Sequence, residues 1–436
     1  MQSERQPART GAALRKGIIP AMTGILEALQ YEETWKEFMD YKLSGHYVSR
    51  HEKQQLADYV EQRRYLPIAQ ALVAGNYCFA PPMKRTINKS GTSKKRVVYT
   101  FSDDENLFLK CLGYLLYRYD PKLSCKCFSF RKSLSARDAI FAILAQKDRD
   151  ELYCFKADIS NYFNSIPEEK LVEVLEDLID DDPRLMWFLR SLLLCRKSLL
   201  EDGTEISESR GAMAGIPVSP FFANVYLLSV DKYFEERDVP YFRYSDDILI
   251  FARSREELDD RIEAFTSLVT AKGLALNPKK MSVSAPSQPW EFLGFCYHQG
   301  QVDISRVTKD KLKGKIRRKA KALLRWKTKN DAEFERAGRA LIRTFNRKFY
   351  NEKHEDCFTW SRWFFPVITT DKSLSELDAY LIEYVRYLFQ GRHFKGNYKV
   401  TYDDIKKLGF RSLRHEYYIS RKKPDLEVRR IHDALQ

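Results

Sequence analysis

The sequence lacks the cysteine and histidine spacings of a bound structural metal. Its eight cysteines are scattered, none forms a Cys-x-x-Cys pair, and Cys125-Lys-Cys127 has no partner at zinc-finger spacing. The seven histidines form no metal signature either. This pattern argues against a zinc module or a disulfide framework and favours a reduced, cytoplasmic protein with buried thiols.

Long apolar runs are also missing. No stretch of about 18 apolar residues occurs, so a membrane partner is not expected. The first residues, Met1-Gln-Ser-Glu-Arg-Gln-Pro, lack the charged-then-apolar layout of a signal peptide and are expected to form a short polar tail.

Basic and aromatic residues, in contrast, are plentiful. The 436 residues include 74 Lys or Arg against 60 Asp or Glu, a net charge of +14, and 13% are aromatic. A chain of this length can build two to four packed units. The charge predicts a polyanionic partner, and nucleic acid is favoured over an anionic membrane surface.

The excess charge is concentrated after residue 303. Residues 306–350 contain 17 Lys or Arg and four acids, with apolar residues at helical spacing. This stretch is predicted to be a basic helical module on a different surface from the acidic residues described next.

Hydrophobic periodicity predicts an α+β core with a small antiparallel sheet. Helices are predicted within 22–75, 103–120, 134–148, 168–197, 221–228 and 256–272. Strands are predicted at 96–100, 152–158, 241–252 (a hairpin) and 291–303, with a basic loop at 89–95.

Three carboxylates are placed to share one site. Asp246 and Asp247 lie at the turn of the predicted hairpin, within Tyr244-Ser-Asp-Asp, and Asp158 ends another predicted strand. Each alone could be a solvated turn residue or a helix cap. Together they would repel one another unless cations neutralised them, and Mg²⁺ prefers carboxylate and phosphate oxygens. The pattern therefore predicts a site for two divalent metals and a transferring phosphoryl group.

Seven segments resemble, in order, the motifs of bacterial reverse transcriptases, in the lineage that includes group II intron proteins. Those similar to the finger motifs are 95–99 and 128–139, and those similar to the five palm motifs are 155–166, 210–227, 244–247, 274–280 and 290–295. Five palm motifs at plausible spacing are hard to obtain by chance, although each alone is weak. The resemblance covers residues 75–300 well and the remainder loosely.

The resemblance implies a right-hand polymerase with fingers, a palm and a helical thumb. The implied divisions are an N-terminal helical extension (1–75), fingers (76–150), palm (151–171), a helical insertion (172–209), the second part of the palm (210–303), and a basic thumb with the C-terminal region (304–436).

The resemblance also implies roles around the incoming nucleotide. Asp158 and Asp246 would bind two Mg²⁺ ions, with Mn²⁺ as an alternative, and Asp247 would support them. The implied nucleotide-binding residues are Lys95, Arg96, Phe163, Ala214, Gly215 and Lys280. Phe163 would be the steric gate against ribonucleotides, Arg96 a triphosphate clamp, and Lys280 a general acid. As alternatives, Phe163 would be a ring packed in the core, Arg96 a charge on a surface strand, and Lys280 a solvated charge at a helix end.

Further roles concern the nucleic acid. Phe292, Leu293 and Gly294 would form the turn that grips the primer end, or an ordinary core strand. The implied phosphate contacts of the thumb are Lys313, Arg317, Arg318, Lys321 and Arg325, and the alternative is a solvated helix face. Tyr417, Tyr418 and Arg411 are candidate RNA contacts, with core packing as the alternative.

One position departs from the family pattern. Where the family has Pro-Gln-Gly-Ser-Pro, this chain has Met213-Ala-Gly-Ile-Pro217, so Ala214 replaces the Gln that touches the nucleotide. The departure bears on template copying rather than on nucleotidyl transfer.

The resemblance implies an RNA-directed DNA polymerase that uses dNTPs. No segment resembles a fused endonuclease or RNase H, which favours the defence-associated unknown-group reverse transcriptases, most like type 2. Such a protein would copy a noncoding RNA encoded nearby into cDNA in anti-phage defence. Two alternatives stay open: a template-independent DNA polymerase of the abortive-infection type, and a maturase-like RNA-binding protein.

Overall fold

A computed structural model describes residues 24–45, 48–88, 95–350 and 359–422 of the chain. The predicted polar tail and nearly all of the basic loop lie outside these residues, as does Cys357. The α-helices are α1 Ile25–Ala28, α2 Glu32–Gly45, α3 Arg50–Glu61, α4 Tyr65–Val73, α5 Asp103–Leu115, α6 Ala136–Leu144, α7 Tyr162–Ser165, α8 Glu168–Leu178, α9 Pro183–Leu194, α10 Ser219–Tyr226, α11 Leu228–Glu236, α12 Arg255–Ala271, α13 Arg306–Lys329, α14 Phe334–Tyr350, α15 Trp360–Phe364, α16 Lys372–Gln390, α17 Tyr402–Lys407 and α18 Leu413–Lys422.

Eleven strands lie within the described residues, and they form three small sheets. The strands are β1 Met83–Asn88, β2 Lys95–Thr100, β3 Tyr153–Asp158, β4 Lys197–Leu199, β5 Glu205–Ser207, β6 Tyr241–Tyr244, β7 Asp247–Ala252, β8 Ser282–Ser284, β9 Trp290–Phe292, β10 Phe295–His298 and β11 Gln301–Ile304. The sheet orders are β2-β1-β4-β5, β6-β7-β3-β8 and β11-β10-β9. Short 3₁₀ helices occur at Leu116–Lys122, Pro278–Lys280 and Lys395–Lys399.

The sheet β6-β7-β3-β8 is antiparallel throughout and separates two hydrophobic cores. Side chains alternate between the faces of a strand. Phe155 of β3 and Ile248 of β7 therefore join the core that contains the N-terminal helices and α8–α12. Cys154 and Leu249 join the core formed with α6, β9–β11 and the C-terminal helices.

The C-terminal part is a helical layer built on β9–β11. Helix α13 packs against α14 and α16 through Leu312, Ile316 and Ala320, which are buried at helical spacing. Ser305 caps α13 by accepting a hydrogen bond from the Thr308 N–H at 3.3 Å. The basic stretch predicted after residue 303 is thus a helical module with one apolar side.

The predicted α+β class with small antiparallel sheets is confirmed, but three element boundaries were wrong. The single helix predicted at 168–197 is two helices, because Asp182 caps a new helix whose first residue is Pro183. The strand predicted at 291–303 is a three-stranded meander. The helix predicted to reach residue 120 ends as α5 at Leu115 and continues as a 3₁₀ turn.

No helix among the described residues is long and apolar enough to span a membrane.

Candidate active site

The three predicted carboxylates lie at one end of the central sheet. Asp158 and Asp247 are direct partners across the antiparallel pair of β3 and β7, and Tyr244 pairs with Asp247 across the β6–β7 turn. Asp246 is in that turn, and its carbonyl accepts a hydrogen bond from the Ile159 N–H at 3.2 Å. Strand register therefore brings the two sequence-distant acidic segments together.

The two-residue turn is held from below by buried polar side chains. Ser245 has a positive φ of 60°, which a non-glycine residue rarely adopts. Its N–H donates to Ser129 Oγ at 2.9 Å, and Ser129 Oγ donates to Asn224 Oδ1 at 3.0 Å. Asn224 Nδ2 in turn donates to the Ser129 carbonyl at 2.6 Å. This network fixes the turn that carries Asp246.

A buried ion pair completes the support of the turn. Arg243 and Asp231 are 0% and 1% exposed as side chains, and Arg243 Nε donates to Asp231 Oδ1 at 2.7 Å. Tyr241 Oη also donates to Asp231 Oδ1, at 2.9 Å. The guanidinium reaches the Ser245 carbonyl at 3.3 Å and the Asn224 carbonyl at 3.2 Å. It thus joins the pair to the turn that carries Asp246.

The sequence alone predicts no role for Ser129, Asn224, Asp231 or Arg243. A usable signal was present, because Arg243 lies in an otherwise apolar strand and Asp231 lies on the same helix as buried Val230 and Phe234. A charge on such a buried face needs a partner of opposite sign.

Asp158 is buried and engaged with a lysine. Its carboxylate forms an ion pair with Lys280 and accepts a hydrogen bond from Asn277 Nδ2 at 3.3 Å. The Asn277 N–H donates to the Asp158 carbonyl at 2.8 Å. The segment around Lys280 therefore lies at the acidic end of the sheet, as the resemblance implied, with its ammonium on the carboxylate.

The electrostatics at Asp247 reflect the crowding of like charges. Burial, reinforced by the neighbouring Asp246 carboxylate, raises the pKa of Asp247 to about 6. Lys156 and Lys280 act in the opposite direction. A bound divalent cation would favour the ionised form in the same way.

The donor set is chemically suited to hard divalent ions, although it is not preassembled. Among the described residues, no three His, Cys, Asp or Glu side chains are already arranged around a metal position. One carboxylate oxygen of Asp158 is paired with Lys280, which would compete with a bound ion for it. The site offers carboxylate oxygens, which Mg²⁺ prefers, and the three acids repel in its absence.

The loop with the Ala214 substitution packs against β2. Gly215 has a φ of 110°, and a Cβ there would meet the Tyr99 carbonyl at 2.9 Å. The Tyr99 N–H donates to the Ala214 carbonyl at 2.8 Å, and the Ala214 N–H donates to Asn164 Oδ1 at 3.1 Å. Gly215 thus allows its loop to lie close to β2, the strand that carries Lys95 and Arg96.

Lys95 and Arg96 are both exposed, at the start of β2. Because side chains alternate along a strand, Arg96 shares a face with Val98, whose Cβ lies 3.1 Å from the position of a Cβ on Gly215. The predicted phosphate clamp is therefore on the side of β2 that meets the Gly215 loop.

Phe163 lies just after β3, half-buried in α7. Its ring packs edge-on against Phe130 and Tyr162, with centroids 6.3 and 5.7 Å away. Phe130 also contacts Tyr244 at 6.3 Å. The ring is one of a set of aromatics beside the acidic turn, a position compatible with both the gate and the packing interpretation.

A cavity of about 470 Å³ lies beside the Gly215 loop. It is lined by that loop, by Tyr114 of α5 and by Tyr41 and Lys42 of α2. The rings of Tyr41 and Tyr114 are 4.8 Å apart, and Lys132 Nζ lies 5.1 Å from the Tyr114 centroid. Burial, aided by nearby Lys110, lowers the pKa of Lys42. Aromatic rings and crowded cations are features of surfaces that hold single-stranded nucleic acid.

The predicted primer grip is a tight turn that follows a buried strand residue. Leu293 and Gly294 both have positive φ, 47° and 92°, and join β9 to β10. The Gly294 carbonyl accepts from the Ser305 N–H at 2.8 Å, which ties the turn to the start of α13. Phe292 is fully buried, so of the three residues only Leu293 and Gly294 form the turn.

The five predicted thumb contacts differ in their surroundings. Arg317, Arg318, Lys321 and Arg325 are exposed on α13. Lys313 instead forms an ion pair with Glu376 of α16 and lies 5.2 Å from the Tyr380 ring centroid. Lys309 pairs with the same Glu376 at 2.7 Å.

The three C-terminal candidates for RNA contacts also differ in burial and in their partners. Tyr417 is buried and donates to the Ile368 carbonyl at 2.9 Å, as in the core-packing alternative. Arg411 pairs with Glu416 at 2.9 Å and covers the Tyr350 ring. Tyr418 is 48% exposed.

Comparisons with known proteins relate this chain to reverse transcriptases. Residues 87–297 match the reverse transcriptase (RNA-dependent DNA polymerase) family. The retron Ec86 reverse transcriptase of Escherichia coli is 26% identical over 239 residues, which cover 53% of this chain and 68% of that protein. The retron Ec83 reverse transcriptase of the same organism is 26% identical over 122 residues, covering 26% of this chain and 36% of that protein. Among solved structures, telomerase from Candida albicans in complex with a fragment of telomeric RNA is 12% identical, with a TM-score of 0.42 over 86% of this chain and 70% of that one.

Proposed function

Since residues 87–297 are a reverse transcriptase domain homologous to those of bacterial retrons, we propose that the protein copies a cognate noncoding RNA into cDNA. The observation that carries the proposal is the pairing of Asp158 with Asp247 across adjacent strands, with Asp246 in the adjoining turn. This arrangement gathers the three acids of the site at one sheet end.

The chemistry is nucleotidyl transfer to a primer end. Two Mg²⁺ ions, or Mn²⁺, held by Asp158, Asp246 and Asp247 would activate the attacking hydroxyl and stabilise the leaving oxygen. Lys280, released from Asp158, would be free to contact the triphosphate or to protonate the leaving group. Arg96 and Lys95 would bind the same phosphates, and Phe163 would disfavour a 2′-hydroxyl.

Two surfaces would hold the nucleic acid. The cavity beside Gly215 offers Tyr41 and Tyr114 for base stacking and Lys42 for phosphates, which suits an unpaired template strand. The exposed Lys and Arg side chains of α13 suit the phosphates of the template–primer duplex.

A primer-extension assay tests the polymerase activity. Purified protein is supplied with an RNA template, a DNA primer, dNTPs and Mg²⁺. We expect extension by the parent and by Asp260→Asn, an exposed helix acid that serves as the control, but not by Asp246→Asn. Full extension by Asp246→Asn would overturn the proposal. Omission of Mg²⁺ or addition of a chelator is expected to abolish the parent's activity.

A second candidate function is DNA synthesis without a template. It is favoured by Ala214, a methyl group where the family has an amide that touches the nucleotide. Sequencing the DNA made by the purified protein separates the two. A product complementary to the supplied RNA supports copying, whereas random or homopolymeric DNA supports the second candidate.

The biological setting that we propose is anti-phage defence, with the RNA encoded beside the gene. RNA that copurifies with the protein should map to that locus, and cells with Asp246→Asn should lose protection from phage. Protection that survives this substitution would favour the maturase-like alternative, in which RNA binding alone matters.

A further inference from the structure

An open cleft of about 620 Å³ in the C-terminal part plays no role in the site described above. Its floor is one face of α16, where Ile382 and Arg386 lie one turn apart, and its walls are the segment after α16 and the start of α17. The opposite face of α16, with Leu377, Leu381 and Leu388, is buried toward α13 and α14. On the face that lines the cleft, Ile382 and Arg386 are only partly buried.

Three aromatic side chains line this cleft and are exposed. Tyr398 is 66% exposed, Tyr402 41% and Phe394 38%. Single exposed aromatics are common on protein surfaces, but a cluster around one cleft marks a binding surface.

Each of the three rings is accompanied by a cation. Arg386 lies 4.7 Å from the Tyr398 centroid, Arg392 lies 4.6 Å from Phe394, and Lys406 lies 4.7 Å from Tyr402. Arg386 is also fixed by donating from Nε to the Val400 carbonyl at 3.0 Å. Because the guanidinium covers one side of Tyr398 and the ring is still largely exposed, its other side is open to a flat partner.

The charge of the cleft is positive. Glu383, an acid in the lining, lies 2.9 Å from His393 Nδ1 and counts as one negative charge. Just beyond the wall, Asp403 and Asp404 each lie 3.9 Å from a lysine of the same helix. Arg386, Arg392, Lys395 and Lys399 supply the remaining charge of the cleft and its rim.

We infer that this cleft binds unpaired nucleotides of an RNA, as a second nucleic-acid site apart from the template and duplex surfaces. Open rings backed by cations provide stacking for bases of any sequence, and the lysines provide contacts for phosphates. The choice of RNA over DNA rests on the proposed function. A structured RNA held here by a single-stranded loop could stay bound while another part of it is copied.

The test measures binding of a fluorescent 12-nucleotide oligouridylate to the full chain, with the polymerase groove saturated by a short template–primer. We expect Tyr398→Ala to weaken binding about 5- to 150-fold, since stacking on one aromatic contributes about 1–3 kcal/mol per base. Tyr398→Phe keeps the ring and should bind within about twofold of the parent. Tyr31→Ala, which removes a 51% exposed tyrosine far from the cleft in sequence, is the matched control.

Crosslinking of a 4-thiouridine RNA provides a second readout that does not depend on a variant. Crosslinks are expected on the peptides that carry Phe394, Tyr398 and Tyr402. The inference is overturned by unchanged affinity of Tyr398→Ala, by crosslinks confined to other regions, by tighter binding of oligothymidylate than of oligouridylate, or by tighter binding of an acidic peptide.

Failure here is distinguishable from failure of the polymerase proposal. Asp246→Asn should lose DNA synthesis and keep oligouridylate binding. Tyr398→Ala should lose oligouridylate binding and still extend the short template–primer at the parental rate.

Discussion

The turn that carries Asp246 and the outer face of α13 hold their charged groups in opposite ways. The outer face is formed by the exposed residues Arg317, Arg318, Lys321 and Arg325. Below the turn, Arg243 and Asp231 are sealed from solvent and joined to Ser245 through hydrogen bonds. On α13, Arg318 and Arg325 are exposed, and neighbouring cations surround them. The first arrangement fixes atoms in place, and the second supplies charge that can follow a flexible ligand.

The difference matches the roles proposed for the two surfaces. Phosphoryl transfer needs carboxylates held in a fixed geometry, which only a packed and fully bonded base provides. Backbone phosphates repeat along a duplex, so contacts to them need charge rather than a unique position. The contrast can be tested by removing groups from each region in turn.

The largest effect is expected at the turn itself. Asp246→Asn removes the charge of a proposed metal ligand and should lower the rate of primer extension by at least about 10³-fold, or about 4 kcal/mol. Its urea unfolding midpoint should stay close to that of the parent, because Asp246 is partly exposed and the turn is held by other residues. A variant that lost activity only through unfolding would contradict this prediction.

Breaking the buried pair should mainly affect stability. Arg243→Met leaves Asp231 charged, buried and without its main partner, so the free energy of unfolding should fall by about 3–5 kcal/mol. The control is Arg255→Met, since Arg255 and Asp259 form an exposed pair, 52% exposed on each side. That change should cost less than about 1 kcal/mol. Equal losses in urea denaturation would show that burial is not the cause.

Adding Asp231→Leu to Arg243→Met should recover part of the lost stability, because no unpaired charge is left. No recovery would mean that shape rather than charge dominates at this position.

Removing the hydroxyl below the turn should have an intermediate effect. Ser129→Ala leaves the buried Ser245 N–H without its acceptor, which costs about 1–3 kcal/mol. We expect kcat to fall about tenfold with little change in KM for dNTP, because the turn loses its position rather than its charge. Ser191→Ala, on an exposed helix face, is the control, and a matching loss of kcat there would refute a positioning role.

The outer face of α13 should respond to salt. Arg318→Gln combined with Arg325→Gln should reduce the slope of log binding constant against log salt for a template–primer by about 2. The control is Arg50→Gln with Lys53→Gln, which removes two exposed basic side chains of α3 and should leave the slope unchanged. Equal slopes for the two double variants would exclude α13 from the duplex surface.

The smallest effect is expected at Lys313. Its ammonium is already paired with Glu376, so Lys313→Gln should change duplex binding by less than about half of what Arg318→Gln does. A larger change than that of Arg318→Gln would mean that Glu376 releases the lysine when nucleic acid binds. Fluorescence anisotropy at one salt concentration is sufficient to compare the two variants.

The sequence predicted the acidic centre because its signals are local. Asp246 and Asp247 stand between two apolar runs, and Asp158 ends a third, so alternation and turn chemistry placed all three correctly. It did not predict that Asp158 meets Lys280, or that Ser129 lies under Ser245. Those contacts join residues more than 100 positions apart and depend on packing, which no local pattern records.

The element boundaries failed for a different reason. Apolar residues at helical spacing stop at 180–184, where the cap at Asp182 followed by Pro183 is a local signal that separates two helices. The short strand β8 was not predicted, because three residues show no periodicity and its partner β3 is far away in sequence.

The central sheet also determines which changes in length the gene can accept. Neighbouring residues of β3 belong to different cores, with Phe155 on one side and Cys154 on the other. A single-codon deletion within β3 would send every later side chain of the strand, including Asp158, to the wrong side. Residues inserted at Gly203, in the exposed turn between β4 and β5, would leave the side chains of both cores in place. We therefore expect natural length variants of this protein to cluster in such turns and to be absent from β3 and β7.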